Sequence, residues 1–286
     1  SALTPHWITG NHTKLAVRIT QHPVACELCR QLGYPLVSTS ANRTGMRPAR
    51  KALRVRTQLG DEVDLILHGE TDPKARAAVI GPAGENCVHF ASVMQGGRGH
   101  SRAAGRGGIG ALLGSKQVKG IVARGRERPS YADRDGFSAM VRELTPQIRE
   151  GSKGMSMYGT AGGMAGTEFT GDLPIHNWQD GSWEEGAQAI SGQVIHEKYW
   201  VKDTICHACP IGCGKAIEIK EGPYAGVSGE GPEYETLDGF GAMLKIDDLA
   251  AISRANDLCN RLGMDTISAS ATVAFAFEAF EKGLIG

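Results

Sequence analysis

The sequence predicts an α/β segment at the front of the chain, then a β-rich segment, then a mainly α-helical domain. Three observations lead there: apolar runs alternating with a helical pattern over residues 15–67, glycine-separated apolar runs between 79 and 123, and a helical period that dominates from residue 138 onward.

In the front segment, residues 15–19 form an apolar run, 23–32 carry a helical pattern, and 35–38 form a second run leading into Ser38-Thr39-Ser40-Ala41-Asn42. That order reads as strand, helix, strand and loop. A second helix is expected over 49–59 and a short buried strand over 63–67, before Gly69. The polar stretch Glu70-Thr71-Asp72-Pro73-Lys74, broken by proline, is the best boundary signal. After it, Val79 and Ile80 lead to Gly81-Pro82-Ala83-Gly84-Glu85-Asn86; a short helix is expected to run to Met94, followed by a glycine-rich run at 96–114 and an apolar strand at 120–123.

Further on, Phe137, Met140, Val141, Leu144 and Ile148 recur at intervals of three and four, as do Leu249, Ile252, Ala255, Leu258, Cys259 and Leu262. Asp247 and Asp248 suit the start of the latter helix and Gly263 its end. A last helix is expected over 269–282, carrying Val273, Phe275, Phe277 and Phe280.

The 286 residues are 41% hydrophobic and 22% charged, enough for one large or two smaller cores. Lys plus Arg and Asp plus Glu are both 31, so charge gives no argument for nucleic acid. No stretch reaches the roughly 20 apolar residues of a membrane span, and no signal segment opens the chain, so a cytoplasmic address with no membrane partner is expected. The chain opens on Ser1 and stops three residues after Gly283, which reads as an internal piece.

Seven cysteines, an odd number with three of them inside eight residues, do not look like a secreted disulfide framework. That cluster is Cys206-His207-Ala208-Cys209-Pro210-Ile211-Gly212-Cys213, a C-x2-C-x3-C run. Three thiolates closing on one loop suit adjacent corners of a 4Fe-4S cubane. Zinc with His207 or His196 as fourth ligand, and plain buried thiols, remain open. The run from Gly99 to Ala111 sets Arg102 and Arg106 among glycines, which suits a phosphate or pterin edge; a flexible turn with solvated arginines is the alternative. In Gly231-Pro232-Glu233-Tyr234-Glu235-Thr236 a carboxylate stands either for acid/base work or for capping the next helix. Cys259, on an apolar helical stripe, and Cys26 and Cys29, on one helix face, are expected to be packing thiols.

Together with Ala78–Asn86, Gly114-Ser115-Lys116, Ile252–Asn256 and Leu262–Ser268, these motifs resemble, in the same order, the aldehyde ferredoxin oxidoreductases over about residues 77–286. The resemblance implies a tungsten or molybdenum bis-pterin, a magnesium ion bridging its phosphates, and a 4Fe-4S cluster feeding ferredoxin. It implies pterin contacts from Arg102, Gly105 and Arg106, and the Ala103 carbonyl on magnesium. Cys206, Cys209 and Cys213 would be cluster ligands, and Glu235 the catalytic acid or base. The family's second pterin motif, D-x-x-G-L-D/C, stands here as Asn260-Arg261-Leu262-Gly263-Met264-Asp265, so Asn260, Met264 and Asp265 would be its contacts, with Asn for Asp and Met for Leu as departures.

The first 73 residues resemble the second half of a YrdC-type threonylcarbamoyl-AMP synthase through Leu15–Ile19, the helix after His22-Pro23, and Pro35–Gly45. That resemblance implies an ATP and threonine site at Arg18, Ser38, Ser40 and Asn42, and a link to tRNA only through this part. The implied organisation is a partial YrdC-like domain at 1–73, the end of a pterin-binding domain at 74–125, and a helical iron-sulfur domain at 126–286. The expected function is aldehyde oxidation to carboxylic acid with ferredoxin as acceptor, and a homodimer is the expected assembly. The alternatives are the synthase activity from residues 1–73, or an inactive chimeric fragment joined near 73–77.

Overall fold

The computed structural model describes residues 76–97, 100–123, 125 and 130–286. Residues 76–286 form one compact unit. The strands and helices expected at 15–67, the residues Arg18, Ser38, Ser40 and Asn42, and the thiols Cys26 and Cys29 lie outside the described residues.

The unit begins with a four-stranded antiparallel sheet in the order β3-β2-β1-β4. Its strands are β1 (Arg76–Ile80), β2 (Val93–Gly97), β3 (His100–Ala104) and β4 (Gly120–Ala123). β1 is central, with Val79 opposite Met94 and Ile80 opposite Val93 on one side, and Ala78 opposite Ile121 on the other. This pairing overturns the helix expected up to Met94. Only α1 (Pro82–Glu85) is helical there, because Cys87 turns into positive φ (55°) and the apolar pair Val93–Met94 is drawn into the sheet. The glycine-rich run contains β3 and a second helix, α2 (Ile109–Ser115).

The remainder is mainly helical, as the sequence predicts. α3 (Arg134–Gly151) starts at Asp133, whose side chain accepts from the Gly136 amide. Its apolar stripe, however, faces solvent: Phe137, Met140, Val141, Leu144 and Ile148 are 41–56% exposed. α4 (Lys153–Tyr158), a 3-10 turn (Thr160–Gly163) and α5 (Met164–Thr170) follow. Two further helices, α6 (Glu184–Ala189) and α7 (Gly192–Lys198), precede the second sheet.

That sheet is antiparallel, in the order β5-β6-β7: β5 (Trp200–Thr204), β6 (Gly214–Glu218) and β7 (Ser228–Glu230). A helical turn α8 (Tyr234–Leu237) runs into a π-turn (Asp238–Ala242). The helices α9 (Leu249–Leu262) and α10 (Thr266–Glu281) close the chain. Asp248 caps α9 by accepting from Ala250 and Ala251 N–H, and Gly263 ends it in the left-handed region, as its sequence signals require.

The core gathers Met164, Ile175, Ile190, Ile195, Leu237 and Ile252, each at most 2% exposed. Burying each such side chain contributes about 1.5–3 kcal/mol relative to exposure, so these contacts fix α5, α7, α8 and α9 around one centre. The first sheet is stitched to the α9–α10 junction by backbone. Ser92 N–H donates to the Gly263 carbonyl at 2.8 Å and Asp265 N–H to the Phe90 carbonyl at 3.0 Å. A Cβ on Gly81 would lie 2.3 Å from the Leu262 carbonyl oxygen, so this approach requires glycine.

Candidate cofactor site at the cysteine hairpin

The cysteine run forms the loop between β5, which ends at Thr204, and β6, which starts at Gly214. Cys209 N–H donates to the Cys206 carbonyl at 3.1 Å, and Ala208 (φ 56°) and Gly212 (φ 70°) turn the chain back on itself. Cys206 is exposed, while Cys209 and Cys213 are half-buried.

Arg102 reaches this loop from β3. Its Nη1 donates to Glu233 Oε1 at 2.5 Å, and its Nη2 pairs with Glu230 Oε1 at 2.9 Å and lies 3.4 Å from Thr204 Oγ1. Thr204 in turn donates to Glu230 at 2.9 Å. Gly214, directly after Cys213, makes the approach possible: a Cβ there would sit 2.1 Å from both Arg102 Nη2 and Thr204 Oγ1. Burial works against the charge of Arg102, but the hydrogen bond to Glu233 and the carboxylates of Glu230 and Glu233 outweigh it and raise its pKa above the ordinary arginine value. Burial, with Glu233, also raises the pKa of the Cys213 thiol, while Arg102 favours its thiolate.

Glu233 joins a second element to the site, since its Oε2 accepts from Thr160 Oγ1 at 2.6 Å and Thr160 accepts from Tyr234 N–H at 2.9 Å. Glu235 of the same motif is exposed. Its influence falls on Asp238, a carboxyl pushed up from 3.8 to about 7 by burial and then by the Glu235 charge. Asp238 Oδ1 is buried without a hydrogen-bond partner among the described residues.

Arg106 and Gly105 are brought to Asp265. Arg106 Nε lies 3.6 Å from Asp265 Oδ2 with the guanidinium 68% exposed, and a Cβ on Gly105 would meet Asp265 Oδ1 at an ordinary 3.6 Å. Asp265 itself is buried and caps α10, accepting from Ile267 N–H, Ser268 N–H and the Ser268 hydroxyl. Met264 packs against the core, Asn260 is half-buried near the end of α9, and Ala103 sits in β3 opposite Met94. Cys259 is a packing thiol, 3% exposed, with its pKa pushed up to about 11 by burial and by Asp265. Glu230 and Thr204 carry no signal in the sequence, and Glu233 only that of sharing one motif with Glu235.

A single zinc ion needs ligands that converge on one point, and no group of three or more His, Cys, Asp or Glu does so among the described residues. Three thiols on one hairpin beside the half-buried Arg102 have the donor chemistry of a cubane, in which each thiolate binds a different iron. Arg106, exposed and only loosely held, keeps N–H donors for an anionic pterin phosphate.

The fold matches that of the active-site complex BamBC of benzoyl coenzyme A reductase bound to 1,5-dienoyl-CoA, with a TM-score of 0.59 at 24% identity over 82% of this chain and 36% of that one. Residues 138–286 match the family model for aldehyde ferredoxin oxidoreductase domains 2 and 3, and residues 50–125 match that for its N-terminal domain. The chain belongs to the aldehyde ferredoxin oxidoreductase family. The tungsten-containing aldehyde ferredoxin oxidoreductase of Pyrococcus furiosus is 43% identical over 74% of this chain and 34% of that protein. The chain thus spans about a third of the length of the relative it matches. Residues 1–85 match a YrdC-type model described as telomere recombination. The threonylcarbamoyl-AMP synthase of Alkalilimnicola ehrlichii is 52% identical over 30% of this chain and 46% of the synthase. No helix among the described residues is long and apolar enough to cross a membrane.

Proposed function

We propose that residues 74–286 serve a tungsten-pterin oxidoreductase that converts an aldehyde and water to a carboxylic acid, two protons and two electrons, the electrons leaving through a 4Fe-4S cluster to ferredoxin. The observation that carries this reading is the approach of Arg102, from the glycine-rich segment, to Thr204 and Gly214, the residues that flank the hairpin of Cys206, Cys209 and Cys213. When bound, the tungsten-pterin would supply two-electron chemistry, and the Ala103 carbonyl would be a ligand for magnesium. Arg102 and Arg106 hold and orient the anionic group, with Gly105 leaving room for it. Glu235, exposed on α8, takes a proton released from water, and Asp238 lies within its electrostatic reach as a second proton holder. Asn260, Met264 and Asp265 form the second pterin edge, where the capping bonds of Asp265 also fix the start of α10.

In this reading residues 74–125 are the end of the pterin domain, 126–286 the helical iron-sulfur domain and 1–73 the YrdC-like part, in a cytoplasmic protein able to pair as a homodimer. The test is tungsten content and aldehyde-dependent reduction of ferredoxin by anaerobically purified protein. Tungsten near one per chain with reduction supports the proposal; a chain that takes up only molybdenum, or none, and reduces nothing opposes it.

A second reading rests on the synthase similarity of the front segment. Arg18, Ser38, Ser40 and Asn42 would bind ATP and threonine, and tRNA modification would follow. Threonine- and bicarbonate-dependent release of pyrophosphate from ATP tests it.

A further inference from the structure

Lys215 follows the cysteine hairpin by two residues and lies in β6. In the structure its side chain is 5% exposed and all three ammonium protons have acceptors. Nζ donates to Asp203 Oδ1 at 2.6 Å, to the Ser156 carbonyl at 2.5 Å and to the Gly212 carbonyl at 3.3 Å. The last of these belongs to the left-handed residue directly before Cys213. Asp203, opposite Lys215 in the β5–β6 pairing and 45% exposed, also accepts from Trp200 Nε1 at 3.0 Å. Gly159 packs on the same place: a Cβ there would be 2.8 Å from the Cys213 carbonyl oxygen and 3.6 Å from Lys215 Cγ.

Burying an ammonium ion is costly, and a hydrophobic side chain of similar length would fill this space without that cost. Two features of the site account for the charge. It fixes a backbone carbonyl in a turn that an apolar side chain would leave unheld, and it sets a positive charge against the base of the cysteine hairpin, at the Gly212 carbonyl. Electron uptake makes an iron-sulfur cluster more negative, and hydrogen bonding and nearby charge set its potential.

We propose that Lys215 is a positioning residue for the cysteine hairpin: through the Gly212 carbonyl it sets Cys213, and its charge, moderated by Asp203, favours the reduced state of a cluster held there. The second half of this proposal rests on the cluster reading above, while the first half stands without it.

The test uses the full chain, first without metal. In Lys215→Met, alkylation of Cys213 should quicken several-fold while buried Cys259 stays unlabelled, which shows that the fold persists. An unchanged Cys213 rate overturns the positioning claim. The chain is then reconstituted with iron and sulfide under anaerobic conditions and titrated. Lys215→Met should bind less iron per chain and shift the midpoint potential to more negative values. Asp203→Asn, which leaves the cation less compensated, should shift it the other way. Equal potentials in all three proteins, or shifts of the same sign, overturn the electrostatic claim. If the unmutated chain takes up no iron, the cluster reading and the electrostatic claim fall together, whereas the thiol-labelling result still decides the positioning claim.

Discussion

Arg102 Nη1 and Glu233 Oε1 lie 2.5 Å apart although 131 residues separate them in the chain. Their pairing joins the first sheet to the element that precedes α8, and it sets the guanidinium beside Cys213. The two carboxylates on Arg102 are not equivalent: Glu233, like Arg102, is about a third exposed, whereas Glu230 is 6% exposed. Glu233→Gln should therefore cost about 1 kcal/mol, since solvent screens the lost pair. Arg102→Met removes the cation from the buried Glu230, which keeps its Thr204 hydrogen bond, and should cost more, about 3 kcal/mol. Urea denaturation of the two variants checks the ranking; equal losses would contradict it.

Gly214 offers a steric test of the same junction. A methyl group there would lie 2.1 Å from Arg102 Nη2 and Thr204 Oγ1. Gly214→Ala should displace Arg102 and destabilise the protein by a few kcal/mol, on the order of an overpacked core. Gly166, inside α5 with nothing within 4 Å of its Cβ position, is the control. Gly166→Ala should be stabilising by about 0.5–1 kcal/mol, the helix-propensity difference. Thermal melts of both variants give the comparison.

The pH dependence of stability should carry the signature of Asp238. Its carboxyl is raised in the folded state from 3.8 to about 7, so the folded protein binds a proton that the unfolded chain has released. The associated stability is fully present below about pH 4 and is lost as pH rises through about 7. Asp238→Asn keeps the shape but cannot ionise. Its denaturation midpoint should exceed that of the unmutated protein at pH 8, with the difference closing toward pH 4. A constant difference across that range would exclude Asp238 as the source.

Thiol reactivity should separate the cysteines by burial. Cys87 and Cys206 are exposed, whereas Cys259 is 3% exposed with its pKa pushed up to about 11. Only thiolates attack an alkylating agent, so at pH 8 Cys87 and Cys206 should label in the native protein and Cys259 only after denaturation. Peptide mass spectrometry reads the order, and native labelling of Cys259 would contradict the packing.

The elements legible in the sequence are those whose signals are local. α9 declares itself by Asp248, its apolar period and Gly263, and β4 by its apolar run after Gly120. The expected helix up to Met94 failed because Val93 and Met94 find partners in β1, more than ten positions away. α10 starts at Thr266, before the expected Ala269, because Asp265 serves as its cap. The period of α3 is legible, but its solvent exposure is not, since period shows which residues share a face and not what covers them. In the site, the cysteine spacing and the arginines stood out as residue types. Glu230, Thr204 and Lys215 did not, because a buried role for ordinary polar residues arises only when β5, β6 and β7 pair.

The central claim, that Cys206, Cys209 and Cys213 hold an iron-sulfur cluster beside Arg102, is tested most directly by iron and acid-labile sulfide analysis of the anaerobically purified chain and its Cys213→Ser variant. The account predicts iron and sulfide in equal amounts with broad visible absorbance, largely lost in the variant. Absence of both from the unmutated chain, with zinc bound instead, would contradict it.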